Sequence, residues 1–416
     1  MRPLSLRRPG YLAVVVAALV TGCGEANSIT KPTNPVPTLA VQSDEHESDE
    51  SGSTVSVADV EHLYAAVNNP ANAGTTILLA SGTYVLSAKD AAGVSRPNGG
   101  RLELQQDMSI SGVEDDRAAV VIDATALPAS SFFIPIGRTG VIRTGRGTNA
   151  VEWLTIAGNP RSAGAIETDL GGTLDAWVTV AHVAAGNSTR GVDVRNFGAA
   201  NATRRLNAEI TDSDLFRGSE GIRVANFFGA VGGQIIVEMN GNRAYENEVG
   251  CIIVNNRSNT ATIQVRSNGD RFYDNGGGCL VVGGLAASGT TVSSSTALEA
   301  HGTAFIDNTR TEFFPNSGPV FSGFSGLQVV GGEELSSVGT TSHNTVTVKL
   351  WGCNVSGNQR LDFEAWGARS SDPLRVAGID NHAIVELHGI SKRIDVVGGN
   401  SSPANPDGTN TLTIIR

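Results

Sequence analysis

Phe216-Arg217-Gly218-Ser219-Glu220-Gly221-Ile222-Arg223-Val224, Tyr245-Glu246-Asn247-Glu248-Val249-Gly250-Cys251-Ile252-Ile253 and Tyr273-Asp274-Asn275-Gly276-Gly277-Gly278-Cys279-Leu280-Val281 are three versions of one phrase. An aromatic residue opens each, a glycine follows five residues later, and an apolar run starts there. The openings lie 29 and 28 residues apart, and Ile306 continues the series after 33 more. Asn247, Asn275 and Asn308 each stand two residues past an opening. A second set of markers, alternating segments around Ile210, Val237, Val265, Leu298 and Val348, repeats at 27, 28, 33 and 50 residues. The intervals 33 and 50 also separate Asn275, Asn308 and Asn358, so two independent marker sets keep one spacing.

A unit of this kind cannot bury its apolar face alone, and stacking the units makes one continuous core. A period near 28 residues with three short strands per turn fits an all-β, single-domain right-handed parallel β-helix. The six-residue periodicity of the left-handed type is absent. Stacked asparagines at one turn should hydrogen-bond along the axis. Residues 283–296 and 309–344 exceed the repeat between the asparagine turn and the next strand. They are expected to protrude on one side, the second with an irregular extra coil around Val320 to Val330. The register places Val237, Val265, Leu298 and Val348 inward and Glu238, Arg266, Glu299 and Lys349 outward as a ladder of charges. Cys251 and Cys279 share one inward position, below which stands Ile222. Either a disulfide or a reduced buried pair would satisfy that geometry. Cys353 reads as a lone core residue.

The chain opens with Arg2, Arg7 and Arg8 and the apolar run Tyr11 to Val20, a secretory signal too short to span a bilayer. It ends in Val20-Thr21-Gly22-Cys23, which resembles the lipobox of bacterial lipoproteins. That resemblance implies lipidation at Cys23, export, and lipid as the sole membrane anchor, at an outer membrane or cell surface. Residues 1–22 are then the signal peptide. Its loss removes three positive charges and no negative ones, taking the formal charge from −11 to −14. Such an acidic body argues against nucleic acid as a partner. Residues 23–54 hold Pro32, Pro35, Pro37 and the run Ser43-Asp44-Glu45-His46-Glu47-Ser48-Asp49-Glu50-Ser51, too polar to fold, and read as a disordered tether.

Residues 55–416 form the solenoid. Ser56 can cap a helix whose stripe is Val57, Val60, Leu63, Tyr64 and Val67. The helix is followed by Thr76-Ile77-Leu78-Leu79-Ala80-Ser81-Gly82-Thr83-Tyr84. This opening resembles that of the pectate-lyase-like superfamily, where such a helix plugs the first coil. The resemblance implies the fold over residues 55 to 416; its specific motif spans only about 55 to 86. Superfamily members cleave or bind acidic polysaccharides, while others are non-catalytic. The polygalacturonase-like segments N-T-D, D-D, G-H-G and R-I-K do not occur here as a set: His301-Gly302 and His388-Gly389 lack the preceding glycine, and Asp395 follows Arg393-Ile394. Phosphate loop, zinc spacing and nucleophile elbow are absent too.

The spacing brings Arg217, Glu246 and Asp274 to one turn position on three successive coils, with Asp212, Asp214, Glu220 and Arg223 on the first of these coils. Carboxylates on neighbouring rungs are oxygen ligands for calcium, or an acid and base for a sugar, and Arg217 matches the two oxygens of a uronate. A solvated turn of salt-bridged charges is the plainer reading. His182, His301, His343, His382 and His388 share no spacing. Two functions remain: a monomeric, membrane-anchored lipoprotein that recognises and cleaves or merely binds polysaccharide, as a lyase or hydrolase if an enzyme, or a non-catalytic structural or adhesive one.

Overall fold

The computed structural model describes residues 53–134, 137–169, 175–197, 205–227, 230–286, 289–310, 325–334, 339–370, 378–390, 396–400 and 409–416. All lie in the compact unit Ser51–Arg416. Cys23, the signal and most of the acidic segment fall outside them.

The chain winds as a right-handed parallel β-helix with three sheets. Each coil of the repeat region contributes one strand to each of the three long sheets, so a strand there pairs with those one coil away and not with its sequence neighbours. In the coil of the second phrase, Gln234–Asn240 joins the first sheet, Arg243–Tyr245 the second and Val249–Asn256 the third. Long-range pairing of parallel strands is what buries the alternate residues: Ile235, Val237 and Met239 from the first sheet, Ala244 from the second, Cys251 and Ile253 from the third. One cluster of this kind runs from Val57 to Leu387.

The register of the first sheet matches the sequence reading from Val237 onward: Val237, Val265, Leu298, Val348 and then Val385 are partners, and so are Glu238, Arg266, Glu299, Lys349 and Glu386. One rung earlier it does not. Ile210 pairs with Met239, and Ala208 is the partner of Val237. A two-residue offset preserves the inward face, so the alternation alone cannot detect it. The turn between the first two sheets sets the true register.

Polar ladders finish each corner. Asn247, Asn275, Asn308 and Asn358 stack after the second sheet; the side-chain oxygens of Asn275, Asn308 and Asn358 each accept from the backbone N–H and the amide of the preceding asparagine at 2.8–3.2 Å, and that of Asn247 accepts from the Gly218 N–H at 2.9 Å. Asp362 ends the series by accepting both from Asn358. Asn344, Asn381 and Asn410 form a similar ladder before the first sheet. These amides satisfy turn donors that the parallel sheets cannot reach.

Two expectations are corrected. The helix, α1, spans Val60–Asn68 and its N-cap is Asp59, whose carboxylate accepts from the His62 N–H at 2.9 Å. Ser56 and Val57 instead belong to a strand, Thr54–Val57, that pairs with Thr76–Leu79. The β-branched Val55 and Val57 favour that pairing, and the shorter helix still buries Leu63, Tyr64 and Val67. The second correction concerns the irregular coil expected around Val320 to Val330, of which residues 320–324 lie outside the described residues. Leu327–Glu334 is a regular rung of the third sheet, paired with Cys279–Ala286 and Phe363–Ser370. The chain inserted before it displaces the rung from its asparagine turn, which hides the spacing. Gly289–Val292 and Gly339–Ser342 pair as a small parallel extension on the side where protrusion was expected.

Cys251 and Cys279 are register partners, both buried and both thiols. The neighbouring Cys279 thiol and burial push the Cys251 thiol well above its ordinary range. Cys353 is buried elsewhere and donates to the Ala300 carbonyl at 3.3 Å.

Candidate functional site

The three outer faces differ. On the third sheet the outward residues are covered. At its early rungs Arg223 clasps Asp193 with two bonds of 2.8 and 2.6 Å, Arg190 clasps Glu220 at 2.8 and 3.2 Å, and Arg195 reaches Glu167 at 2.7 Å. In the middle an apolar group, including Phe227, Ile252, Val254, Leu280 and Val282, is buried outside the main core. At the late rungs Glu364 accepts from Ser325, Gln328 and Trp366 at 2.6–2.8 Å. Burial of Asp193, Arg223, Glu167 and Glu364 is offset by mutual pairing, while Arg190 and Glu220 are partly buried. Glu220 and Arg223, which the sequence grouped with Arg217, thus belong to a different face.

The second sheet is open. Its three-residue strands point one residue inward and two outward, so the alternation D-L-F, R-A-Y, R-F-Y sorts Leu215, Ala244 and Phe272 into the core. Two outward columns result. One stacks Asp214, Arg243 and Arg271; the other stacks Phe216, Tyr245 and Tyr273, with ring centroids 5.4 and 5.3 Å apart and planes within 19°. Arg217, Glu246 and Asp274 form a third column at the adjoining turn, each with a left-handed backbone of φ 51–55°. Arginine and glutamate seldom adopt that conformation. The sequence spacing therefore placed this trio at one angular position, as the structure does.

The trio is not three equivalent ligands. Arg217 Nε donates to Glu246 Oε2 at 2.7 Å, and this bond raises the Arg217 pKa further. Asp274 is exposed beside them and its backbone carbonyl accepts from the Glu246 N–H at 3.0 Å. No three ligand-type side chains among the described residues surround a common point. Calcium binding by Glu246 and Asp274 accordingly has no preformed geometry in its support.

Asp212 and Asp214 separate. Asp214 is buried between Arg117, reaching over from the loop after Val113, and Arg243, whose Nε and Nη2 donate at 2.5 and 2.7 Å. Asp212 lies at the corner between the first and second sheets, exposed, with φ 46° and its carboxylate 4.0 Å from His182 Nδ1. His182 stacks on Trp153 with centroids 3.8 Å apart. Later coils place Gly241, Gly269, Gly302 and Gly352 at this left-handed corner. Arg271 differs from the other arginines of the face. It is exposed, lies over the Tyr273 ring at 5.4 Å, and meets no carboxylate within ion-pair distance among the described residues.

On the first sheet the charge ladder is present but loose: Arg266 lies 3.6 Å from Glu238 and 3.5 Å from Glu299, while Lys349 pairs with Glu386 at 3.3 Å. The histidines, scattered in sequence, are partly gathered by the register. His301, Trp351 and His388 occupy one outward column with centroids 4.4 and 5.0 Å apart. The 50- and 37-residue separations of these three hid that column.

No protein-family model matches this chain, and no curated protein matches it either. Among solved structures it is similar to the A-module of the Azotobacter vinelandii mannuronan C-5 epimerase AlgE4, at 15% identity and TM-score 0.43, covering 86% of this chain and 98% of that one. Pectate lyase Pel9A is similar at 14% identity and TM-score 0.32, covering 83% and 76%. The Streptococcus pneumoniae surface protein and adhesin PfbA is similar at 11% identity and TM-score 0.24, covering 86% and 94%.

Proposed function

We propose that this chain is an exported lipoprotein, anchored through Cys23, that binds acidic polysaccharide along the outer face of its second sheet. The observation that carries the reading is the aromatic column Phe216, Tyr245 and Tyr273 set between Arg271 and Arg217. Rungs ~4.8 Å apart give two coil steps a span of ~10 Å, which suits one or two sugar units. Ring edges and phenolic hydroxyls offer apolar contact and hydrogen bonds to a sugar. The planar fork of Arg271 matches the two oxygens of a uronate. Binding without cleavage is the reading favoured here. Glu246 is held by Arg217 and Asp214 by two arginines, so neither is poised as acid or base.

Calorimetry of the mature protein with uronic-acid and neutral oligosaccharides tests the reading. Saturable binding of the uronic-acid ligands, weakened at least tenfold in Arg271→Ala, is expected. Equal binding of neutral ligands, or none of either, would overturn it. Unsaturated products absorbing in the ultraviolet would show a lyase, and new reducing ends alone a hydrolase. The anchor is tested separately: Cys23→Ala should lose labelling by a palmitate analogue and leave the membrane.

A further inference from the structure

The corner that leads into the first sheet gathers a group of side chains that polysaccharide binding does not use. His343 and Asp380 occupy equivalent left-handed positions on successive coils, both at φ 54°. His382, two residues after Asp380, opens the next strand and pairs with Thr345 below and Thr411 above. Asp380 bridges the imidazoles: Oδ2 lies 2.8 Å from His343 Nδ1, and Oδ1 lies 3.2 Å from His382 Nε2. Thr411 Oγ1 stands 2.7 Å from His382 Nδ1. The side chains of His343, His382 and Thr411 are all reachable from solvent.

We propose that His343, Asp380 and His382 form a binding site for a divalent transition-metal ion, with zinc as the reference ion. Two imidazoles and one carboxylate are the donor set that late first-row metals take from proteins. Metal–ligand bonds of 2.0–2.2 Å in tetrahedral geometry place donor atoms ~3.3 Å apart. The two measured separations, 2.8 and 3.2 Å, are within about half an ångström of that. As folded, His343 hydrogen-bonds to Asp380 and His382 stands at ion-pair distance from it, and the three groups do not surround a common point. Entry of a metal needs only rotation of solvent-facing side chains, with the protons shared with Asp380 displaced to the far ring nitrogen of His343 or to water. His382 already carries the support expected of a ligand. With Nδ1–H donating to the Thr411 hydroxyl, loss of the Nε2 proton that faces Asp380 frees Nε2 as the lone pair for the metal. His343, Asp380 with His382, and Thr411 come from three successive coils, so the ion would clamp the end of the solenoid.

The untagged mature protein titrated calorimetrically with Zn2+ should bind one equivalent at this site. His343→Ala and His382→Ala should each weaken that equivalent at least tenfold, and Thr411→Val about tenfold through loss of the supporting bond. His62→Ala, at the exposed Asp59 pair on α1, should change nothing. Cobalt in place of zinc should give visible absorption bands that vanish in the two histidine variants. Melting of the metal-free variants, followed by circular dichroism, separates lost binding from lost folding. Undiminished binding in both histidine variants, or no binding of Zn2+ by the wild type, would overturn the proposal.

Discussion

Asp270 ends a buried polar ladder by accepting two hydrogen bonds from Asn242, at 2.8 Å from its backbone N–H and 2.9 Å from its amide, and a third from Ser267 at 2.5 Å. Even so, burial dominates and lifts its pKa to about 6. An unfolded aspartate titrates near ~3.9, so the native state holds this proton more tightly. The contribution of Asp270 to stability is then fully present below pH ~4 and is lost as pH rises through about 6, by about 3 kcal/mol at most. Asp270→Asn keeps the acceptor oxygen, and its new amide replaces the charge. We expect it to raise the melting temperature at pH 7 but not at pH 4. A variant that melts lower at both would show that the charge itself is needed.

The first-sheet register makes opposite demands on adjacent residues. Val265 is buried and Arg266 partly exposed between two glutamates. Val265→Asp places an unpaired carboxylate in the core and should abolish soluble, folded protein. Arg266→Gln should shift stability by less than ~1 kcal/mol in denaturant titration, because loose exposed pairs contribute little. Comparable tolerance of the two would contradict the register.

Asn275 makes four ladder bonds, accepting two from Asn247 and donating to the Ala244 carbonyl and to Asn308. Asn275→Ala leaves several of these buried partners without a mate, at a cost of about 2–4 kcal/mol. Asn358→Ala, less buried, should cost less. Equal losses in chemical denaturation would show that the ladder is not the source.

Asp193 is buried on the covered face of the third sheet. Burial alone would raise its pKa, yet Arg223, then Arg190 and Arg195, hold it below the ordinary range. Its contribution is therefore present above the unfolded pKa and lost as pH falls through the lowered one. Arg223→Ala should destabilise by about 3–5 kcal/mol at neutral pH, since it strips a clasped partner from a buried charge. A change under ~1 kcal/mol would mean the face opens to water.

Cys251 and Cys279 should be inert to a thiol reagent in the native protein and both react after denaturation. Intact mass under non-reducing conditions distinguishes this from the alternative the spacing left open. A loss of two hydrogens that survives denaturation would identify a bond across the rungs.

What the sequence by itself determined is whatever repeats. A β-helix gives each coil the same neighbours, so a preference at one position recurs at every coil as spacing in the chain. The asparagine ladder, the inward valines, the paired cysteines and the shared angle of Arg217, Glu246 and Asp274 were all legible for that reason. The pairing of Arg217 with Glu246, in contrast, depends on side-chain rotamers that spacing does not encode. Insertions break the count, which hid the rung Leu327–Glu334 and the columns His301–Trp351–His388 and His343–Asp380. Only the tertiary structure decided which outer face meets solvent. Burial of Asp193 and Arg223 on the third sheet, and exposure of Arg271 on the second, follow from what lies over each face, a three-dimensional property that alternation in a strand leaves unspecified.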